Sequence, residues 1–394
     1  MIFLLLLGVP VALGHLYLWR RLVVDTTRPR TVGRRTGTVA IIGAFLVLMG
    51  ALAVSRSVSP EQAKFLAWPG FVWLALLFYL AIALGIAEIP RRVLLRRATA
   101  APVPAGAGPD PVDPVEVVPD PSRRLFIARS VAIGSGIAAG GVVGYGMTQA
   151  LGDPKLLNVP VTLDKLQTSL SGFRIAVVSD IHLGPLLGRS HTERIVRMIN
   201  EQEADLVAIV GDLVDGTVAE LGEAAAPLRD LVSRHGSFFV TGNHEYFSGH
   251  EQWIAELDRL GVNPLRNEGL TVAGGIELVG VNDVTGKSYD DGPDFDRAFT
   301  GRDTANPVVL LAHQPVQVAD ASARGVDLQL SGHTHGGQMV PFNFVVPAQQ
   351  PSVAGLSKVD DTWLYVSRGA GFWGPPVRVG APPDITVVEL RSAG

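Results

Sequence analysis

The stretch Phe173-Arg-Ile-Ala-Val-Val-Ser-Asp180-Ile-His182 sets the frame: a short apolar run breaks off at an aspartate, with a histidine two places on. An apolar run of four to eight residues suits a strand buried on both faces. Polar residues just past its end then sit on a loop at the sheet edge, where function gathers. The same event recurs four times. Residues 205–210 lead into Gly211-Asp212-Leu-Val-Asp215, and residues 237–240 into Gly242-Asn243-His244-Glu245. Residues 308–311 lead into Ala312-His313-Gln-Pro315, and 327–330 into Gly332-His333-Thr-His335-Gly336-Gly337-Gln338. Further strands are expected over 276–281, 364–366 and 385–390. Residues 192–203 carry Ile195, Val196 and Ile199 on one helical face. From about Val159 onward, strands alternating with helices make an α/β domain.

Each motif is weak alone. Asp-x-His arises by accident, a Gly-Asp pair can be a turn with Asp capping a helix, and a lone His is more often structural. The set is strong because five of the nine histidines fall inside it. Glycines beside the polar groups let backbone approach a ligand closely. The chemistry accounts for the residue types. Hydrolysis of a phosphate ester needs its non-bridging oxygens neutralised and a hydroxide near neutral pH, which two metal ions bridged by a carboxylate supply. Asp, Asn and His donors without sulfur suit Mn, Fe or Zn. Asp180, His182, Asp212, Asn243, His313, His333 and His335 are enough ligands for two such ions. His244 is left over and is the natural general acid, with Asp215 the nearest residue to orient it.

The charge is split along the chain. Residues 1–130 hold 15 Lys/Arg against 7 Asp/Glu, and the rest holds 18 against 30. An acidic catalytic part is a poor match for nucleic acid. The absence of cysteine excludes disulfides and thiolate ligands. Mean hydropathy is +0.29, high for a soluble enzyme, and the excess lies in the first 150 residues. Apolar stretches at 1–19, 38–55 and 65–87, and a weaker Gly/Ala-rich one at 130–150, are expected to span a membrane. Arginines cluster at Arg20, Arg21, Arg28, Arg30, Arg34 and Arg35, at Arg91, Arg92, Arg96 and Arg97, and at Arg123, Arg124 and Arg129. The positive-inside rule puts those loops in the cytoplasm, and residues beyond 151 on the extracytoplasmic side of a multi-pass membrane protein. The expected division is a membrane domain at 1–100, a Pro-rich linker at 101–121, a fourth span at 122–152 and a catalytic domain at 153–394. Ser122-Arg123-Arg124-Leu125-Phe126-Ile127 is similar to a twin-arginine export signal. Plain positive-inside flanking of a helix is the other reading. No small-x-small cleavage site follows, so the span is expected to stay as an anchor.

The motif series D-x-H, G-D-x-x-D, G-N-H-E, H and G-H-x-H resembles the calcineurin-like metallophosphoesterase superfamily over about residues 155–394. The segments Gly332–Gln338 and 365–376 look like the membrane-associated bacterial YkuE-like branch. The resemblance implies a four-layer α/β/β/α sandwich with a dinuclear metal centre on strand-end loops. It implies that Asp180, His182 and His335 hold the first metal and Asn243, His313 and His333 the second, with Asp212 bridging. It also implies that His244 and Asp215 form the catalytic pair. Protein phosphatases of the superfamily carry Arg where this chain has Gly216 and Thr241, which argues against a phosphoprotein substrate.

The expected activity is a membrane-anchored metallophosphoesterase. Its candidate substrates are phosphodiesters, phosphomonoesters or pyrophosphates of a cell-envelope lipid, nucleotide-sugar or wall polymer. The alternative is a non-enzymatic sensor or scaffold for a phosphorylated ligand. Arg368 and Trp373 are candidates for the rim of the site. Arg368 is either a phosphate ligand or one side of a salt bridge. Phe372 and Trp373, like Tyr246 and Phe247, either meet substrate or close the core. His191, His235 and His250 are read as surface or structural residues, and His15 as a membrane-interface one.

Overall fold

The computed structural model describes residues 2–55, 58–99 and 121–394. The chain divides into two compact units, one of Met1–Val54 with Leu66–Tyr145, the other of Ser55–Phe65 with Gly146–Gly394.

The first unit is helical. It contains α1 (Ile2–Leu18), α2 (Val32–Val54), most of α3 (Pro60–Thr99) and α4 (Pro121–Leu151) as far as residue 145. Among the described residues, three helical stretches are long and apolar enough to cross a membrane: Val32–Val54, Pro60–Leu94 and Ser122–Leu151. The stretch expected to span at 1–19 forms an α-helix of 17 residues that continues as the π-helical turn Trp19–Val24. It falls just short of that length. Arg123 and Arg124 lie exposed on the first turn of α4, and the expected linker lies outside the described residues up to 120. Asp25 and Glu88 are neutralised by arginines, as an apolar setting requires. Arg21 pairs with Asp25 and Glu88, each at 2.8 Å, and Arg91 with the same two, each at 3.2 Å. His15 is buried and satisfied: Nδ1 donates to the Val11 carbonyl at 2.7 Å and Nε2 accepts from the Trp73 indole at 2.8 Å. That makes it an internal structural residue rather than an interface one.

The second unit is built on two six-stranded sheets. The first holds β1 (Lys155–Leu163), β2 (Phe173–Val178), β3 (Leu206–Val210), β4 (Ser237–Val240), β5 (Val262–Pro264) and β12 (Asp384–Ser392), in the order β1-β12-β2-β3-β4-β5. The second holds β6 (Glu268–Val272), β7 (Ile276–Gly280), β8 (Val308–Leu311), β9 (Leu328–Ser331), β10 (Gly355–Val359) and β11 (Thr362–Val366), in the order β10-β11-β9-β8-β7-β6. Side chains alternate across a strand, and the alternation assigns the layers. Ile175 and Val177 of β2 join Val309 and Leu311 of β8 in a core between the sheets. Ala176 and Val178 face the other way, against α5 (Arg189–Asn200), α6 (Val218–Ala225) and α8 (His250–Arg259) through Ile195, Leu221 and Trp253. Val308 and Leu310 pack on Phe295, Ala298 and Ala321 of two short helices. The result is helix, sheet, sheet, helix, the four layers expected.

Within the first sheet β2, β3 and β4 run parallel, and within the second β8, β9 and β11 do. Parallel strands present their carboxyl ends at one edge, so every motif that follows one of these strands emerges there.

Candidate metal centre

The ends of β2, β3 and β9 deliver their polar residues at the cost of backbone strain. Asp180, His182, Asp212, His333 and His335 all adopt left-handed backbone, with φ of 52°, 51°, 53°, 71° and 52°. Such conformations cost about 1–3 kcal/mol each for residues with a side chain, and they cluster at functional sites. Two glycines make the crowding possible. A Cβ on Gly242 would lie 2.2 Å from Asp212 Oδ1, and one on Gly332 would lie 1.9 Å from Ser179 Oγ.

The residues expected to hold metal converge in two groups. In the first, His335 Nε2 is 3.3 Å from Asp180 Oδ1 and 3.0 Å from His182 Nε2. In the second, His313 Nε2 is 3.2 Å from Asp212 Oδ2, and His333 completes the cluster. Asp212 stands between the groups. Its Oδ1 accepts from the His244 amide at 2.9 Å, while Oδ2 also lies 3.9 Å from both His182 Nε2 and His244 Nε2. Asn243 opens α7 (Asn243–Ser248) beside them.

The donor set fits divalent cations. His313 Nδ1 can only donate to the Val210 carbonyl, at 2.7 Å, which leaves the buried Nε2 facing Asp212 Oδ2. Nε2 makes no hydrogen bond despite the 3.2 Å approach, and a cation there would be bound by both the ring and the carboxylate oxygen. Asn243 Oδ1 is likewise buried without a partner. Buried acceptors aimed at one another are costly, and a cation between them removes the cost.

Charges follow from this crowding. Burial opposes ionisation of Asp212, but His313 and His244 hold its carboxyl well below the usual range. Burial disfavours the charged His244 ring, yet Asp212 and Asp215 override it and push its pKa up to about 9. His244 Nδ1 is hydrogen-bonded to Asp215 Oδ1, which is also 3.3 Å from His182 Nδ1. The catalytic candidate and a ligand candidate thus share one carboxylate, an arrangement the motif spacing does not reveal. The His244 ring is flanked by the half-exposed Trp373 and the exposed Phe247 at ring distances of 5.9 and 5.8 Å.

Two supporting residues have roles that the motifs do not reveal. Glu245 is fully buried and accepts from the amides of Asp212, Leu213 and Gly242 at 3.0, 2.7 and 2.6 Å, locking two motif loops together. Burial and the charge of Asp212 push its pKa up to about 7. Arg378 is also fully buried and reaches the His335 carbonyl at 2.9 Å and the His335 Nδ1 at 3.1 Å. Burial and that guanidinium hold the His335 ring well below its ordinary pKa, in the uncharged form that binds metal.

Several open readings close. Arg368 is one side of a salt bridge, 3.2 Å from Asp384. Phe372 closes a small core with Ala150 and Leu187. Tyr246 is buried, its hydroxyl donating to Asp291. His191 is buried in α5, and His235 lies against Phe173. His250 clusters with Glu251 and Asp291, but Arg266 already pairs with both carboxylates at 2.8 and 2.9 Å.

The comparisons with known proteins agree with this geometry. Residues 173–337 match the calcineurin-like phosphoesterase family. An uncharacterised metallophosphoesterase of Helicobacter pylori is 40% identical over 273 residues, 68% of this chain and 73% of its own length. A transmembrane protein with metallophosphoesterase domain from Danio rerio is 32% identical over 411 residues, 99% of this chain and 89% of its own length. The uncharacterised metallophosphoesterase YkuE of Bacillus subtilis is 30% identical over 290 residues, 69% of this chain and 98% of its own. With relatives of this identity over most of their length, the chain belongs to the calcineurin-like metallophosphoesterases and is a metal-dependent phosphoesterase.

Proposed function

We propose that the chain is a two-metal phosphoesterase anchored in a membrane with its catalytic domain on the extracytoplasmic side. It hydrolyses a phosphodiester, phosphomonoester or pyrophosphate bond of a cell-envelope lipid, nucleotide-sugar or wall polymer. The observation that carries the reading is Asp212 Oδ2, which lies between two converging sets of acceptors. Asp180, His182 and His335 would hold one ion, Asn243, His313 and His333 the other, and Asp212 would bridge them. Two divalent ions, Mn, Fe or Zn, supply charge for the phosphate oxygens and a hydroxide near neutral pH. His244 donates a proton from Nε2 to the leaving oxygen, and Asp215 holds its ring through Nδ1 and favours the charged form. The carboxylates of Asp180 and Asp212 lie among the ligand candidates, so cations would be needed to offset their charge before an anion is attracted.

The orientation does not depend on whether α1 crosses the membrane. With the arginines of residues 20–35 in the cytoplasm, α2 leads out, α3 leads back and α4 leads out again. The motif Ser122-Arg123-Arg124-Leu125-Phe126 ahead of α4 motivates the twin-arginine reading, in which the domain crosses already folded. The remaining boundaries of the proposal are a linker at 101–121 and a catalytic domain from about residue 153.

The test is turnover of bis-p-nitrophenyl phosphate by the full chain in detergent with Mn²⁺. His244→Ala is expected to lower kcat by about 10²–10⁴-fold, the usual contribution of a general acid. Undiminished kcat in that variant, with metal still bound, would remove His244 from the chemistry.

A further inference from the structure

Gln338 begins a second story. No charged residue occurs from Gly336 to Ser357, directly after the last of the metal-ligand candidates. Within that stretch Phe344 is 77% exposed, Val345 55% and Phe342 52%. Contiguous apolar surface of this kind marks an interaction site on a folded domain. The loop is fixed to the metal site. Gly337 packs against the backbone of Asn343, leaving no room for a Cβ. The Gln338 amide donates to the Trp373 and Pro375 carbonyls at 3.0 and 3.1 Å and accepts from the Trp373 amide at 3.1 Å. Trp373 and Phe247 then flank His244, so one apolar rim runs from the loop to the mouth of the site.

The same loop is fixed to the end of a membrane helix. The Val340 amide donates to the Val379 carbonyl at 3.0 Å, and the Val379 amide to the Gln338 carbonyl at 2.9 Å. The next residue back, Arg378, donates its amide to the Gly146 carbonyl at 2.9 Å. Gly146 lies in the last turns of α4, which belong to the second unit, and it is pressed so closely on Val377 that a Cβ would come within 2.5 Å. Only Gly152, Asp153 and Pro154 separate α4 from β1. Within the second unit, the last turns of α4, the segment 377–380 and the apolar loop are therefore consecutive neighbours.

We propose that residues 340–346, with Trp373 and Phe247, insert into the interface of the bilayer that holds α4. The metal site then opens at the membrane surface. Resting on the hydrolytic reading above, its substrate is a phosphate ester carried on an acyl or isoprenyl chain and drawn from the lipid phase. Aromatic side chains suit the headgroup region, and an uncharged loop avoids the cost of placing charge there.

The absence of cysteine makes the test clean. Phe344→Cys in the full chain takes a single environment-sensitive nitrobenzoxadiazole label, and Val232→Cys, exposed in the turn before β4, is the control. Both are reconstituted in vesicles of phosphatidylcholine and phosphatidylglycerol, with iodide on both faces. The label at 344 is expected to be quenched by doxyl-labelled lipid and protected from iodide, and the label at 232 the reverse. Equal iodide quenching at the two positions would overturn the proposal. Depth is read without turnover, so an inactive chain with a lipid-buried label would sink the hydrolytic reading and keep the rim. In an active chain, the double variant Phe342→Ser with Phe344→Ser is expected to lower turnover of a long-chain phosphate ester in vesicles, relative to bis-p-nitrophenyl phosphate, by about tenfold. An unchanged ratio would overturn the substrate clause.

Discussion

Arg378 shows what a single residue contributes without touching the chemistry. Its guanidinium is wholly buried and divides its donors among the His335, Arg368 and Gly371 carbonyls and the His335 ring. A ring fixed from behind presents Nε2 in one direction. Partners of this kind typically hold 10–100-fold of metal affinity. Arg378→Met is therefore expected to weaken Mn²⁺ binding about 10–100-fold at the group containing His335, with the other group less affected, and Arg378→Lys to restore part of it. Calorimetric titration of the full chain reads this, and two unaltered affinities would reduce Arg378 to a packing role. Nothing in the sequence points to it, because it lies 43 positions from His335 and carries no motif of its own. Glu245 was in plain view within Gly-Asn-His-Glu, but its use depends on three amides some thirty residues earlier. The residues that were legible are those whose chemistry needs a particular side chain at a strand end.

At the scale of elements, the strands that carry the site were the readable ones. β3 and β8 are buried on both faces and read as continuous apolar runs, while β2, β4 and β9 are mostly apolar runs interrupted by Arg174, Ser237 and Gln329. β1 starts at Lys155, ahead of the expected change near Val159, because its first residues are mostly exposed and carry no apolar pattern. The edge strands β5, β6 and β10 are short or polar on the surface, and their pairing comes from neighbours rather than composition. The amphipathic α5 was legible through Ile195, Val196 and Ile199, but it also buries His191. Burial, with Arg194 beside it, lowers the pKa of His191 from 6.5 to about 3. The fold thus favours the neutral ring. This contribution is complete above pH 6.5 and is lost as pH falls from 6.5 towards 3, at about 1.4 kcal/mol per pH unit. Lowering the pH from 7.5 to 5 is expected to destabilise the wild-type domain by about 2 kcal/mol more than His191→Leu. Denaturant midpoints of the full chain in detergent at the two pH values measure it, and identical pH dependence in the two proteins would contradict it.

On the scale of the whole molecule, the site exists only where the two sheets meet. The sheet of β2, β3 and β4 brings Asp180, His182, Asp212 and Asn243, and the sheet of β8 and β9 brings His313, His333 and His335. Neither sheet holds a full set for one ion, and Asp212 Oδ2 lies at the seam. An α/β domain was legible because strands alternate with helices beyond about Val159, whereas the four layers were implied by the resemblance of the motif series to the calcineurin-like metallophosphoesterases. The number of membrane crossings was less so, since α1 has the composition of a span but only 17 helical residues. The decisive measurement is metal content, by mass spectrometry, of the full chain in detergent after Mn²⁺ loading and desalting, beside Asp212→Asn. Two equivalents per chain, falling to one or none in the variant, are expected of a centre bridged by Asp212. A single equivalent in the wild type, or two retained in Asp212→Asn with unchanged affinity, would contradict it.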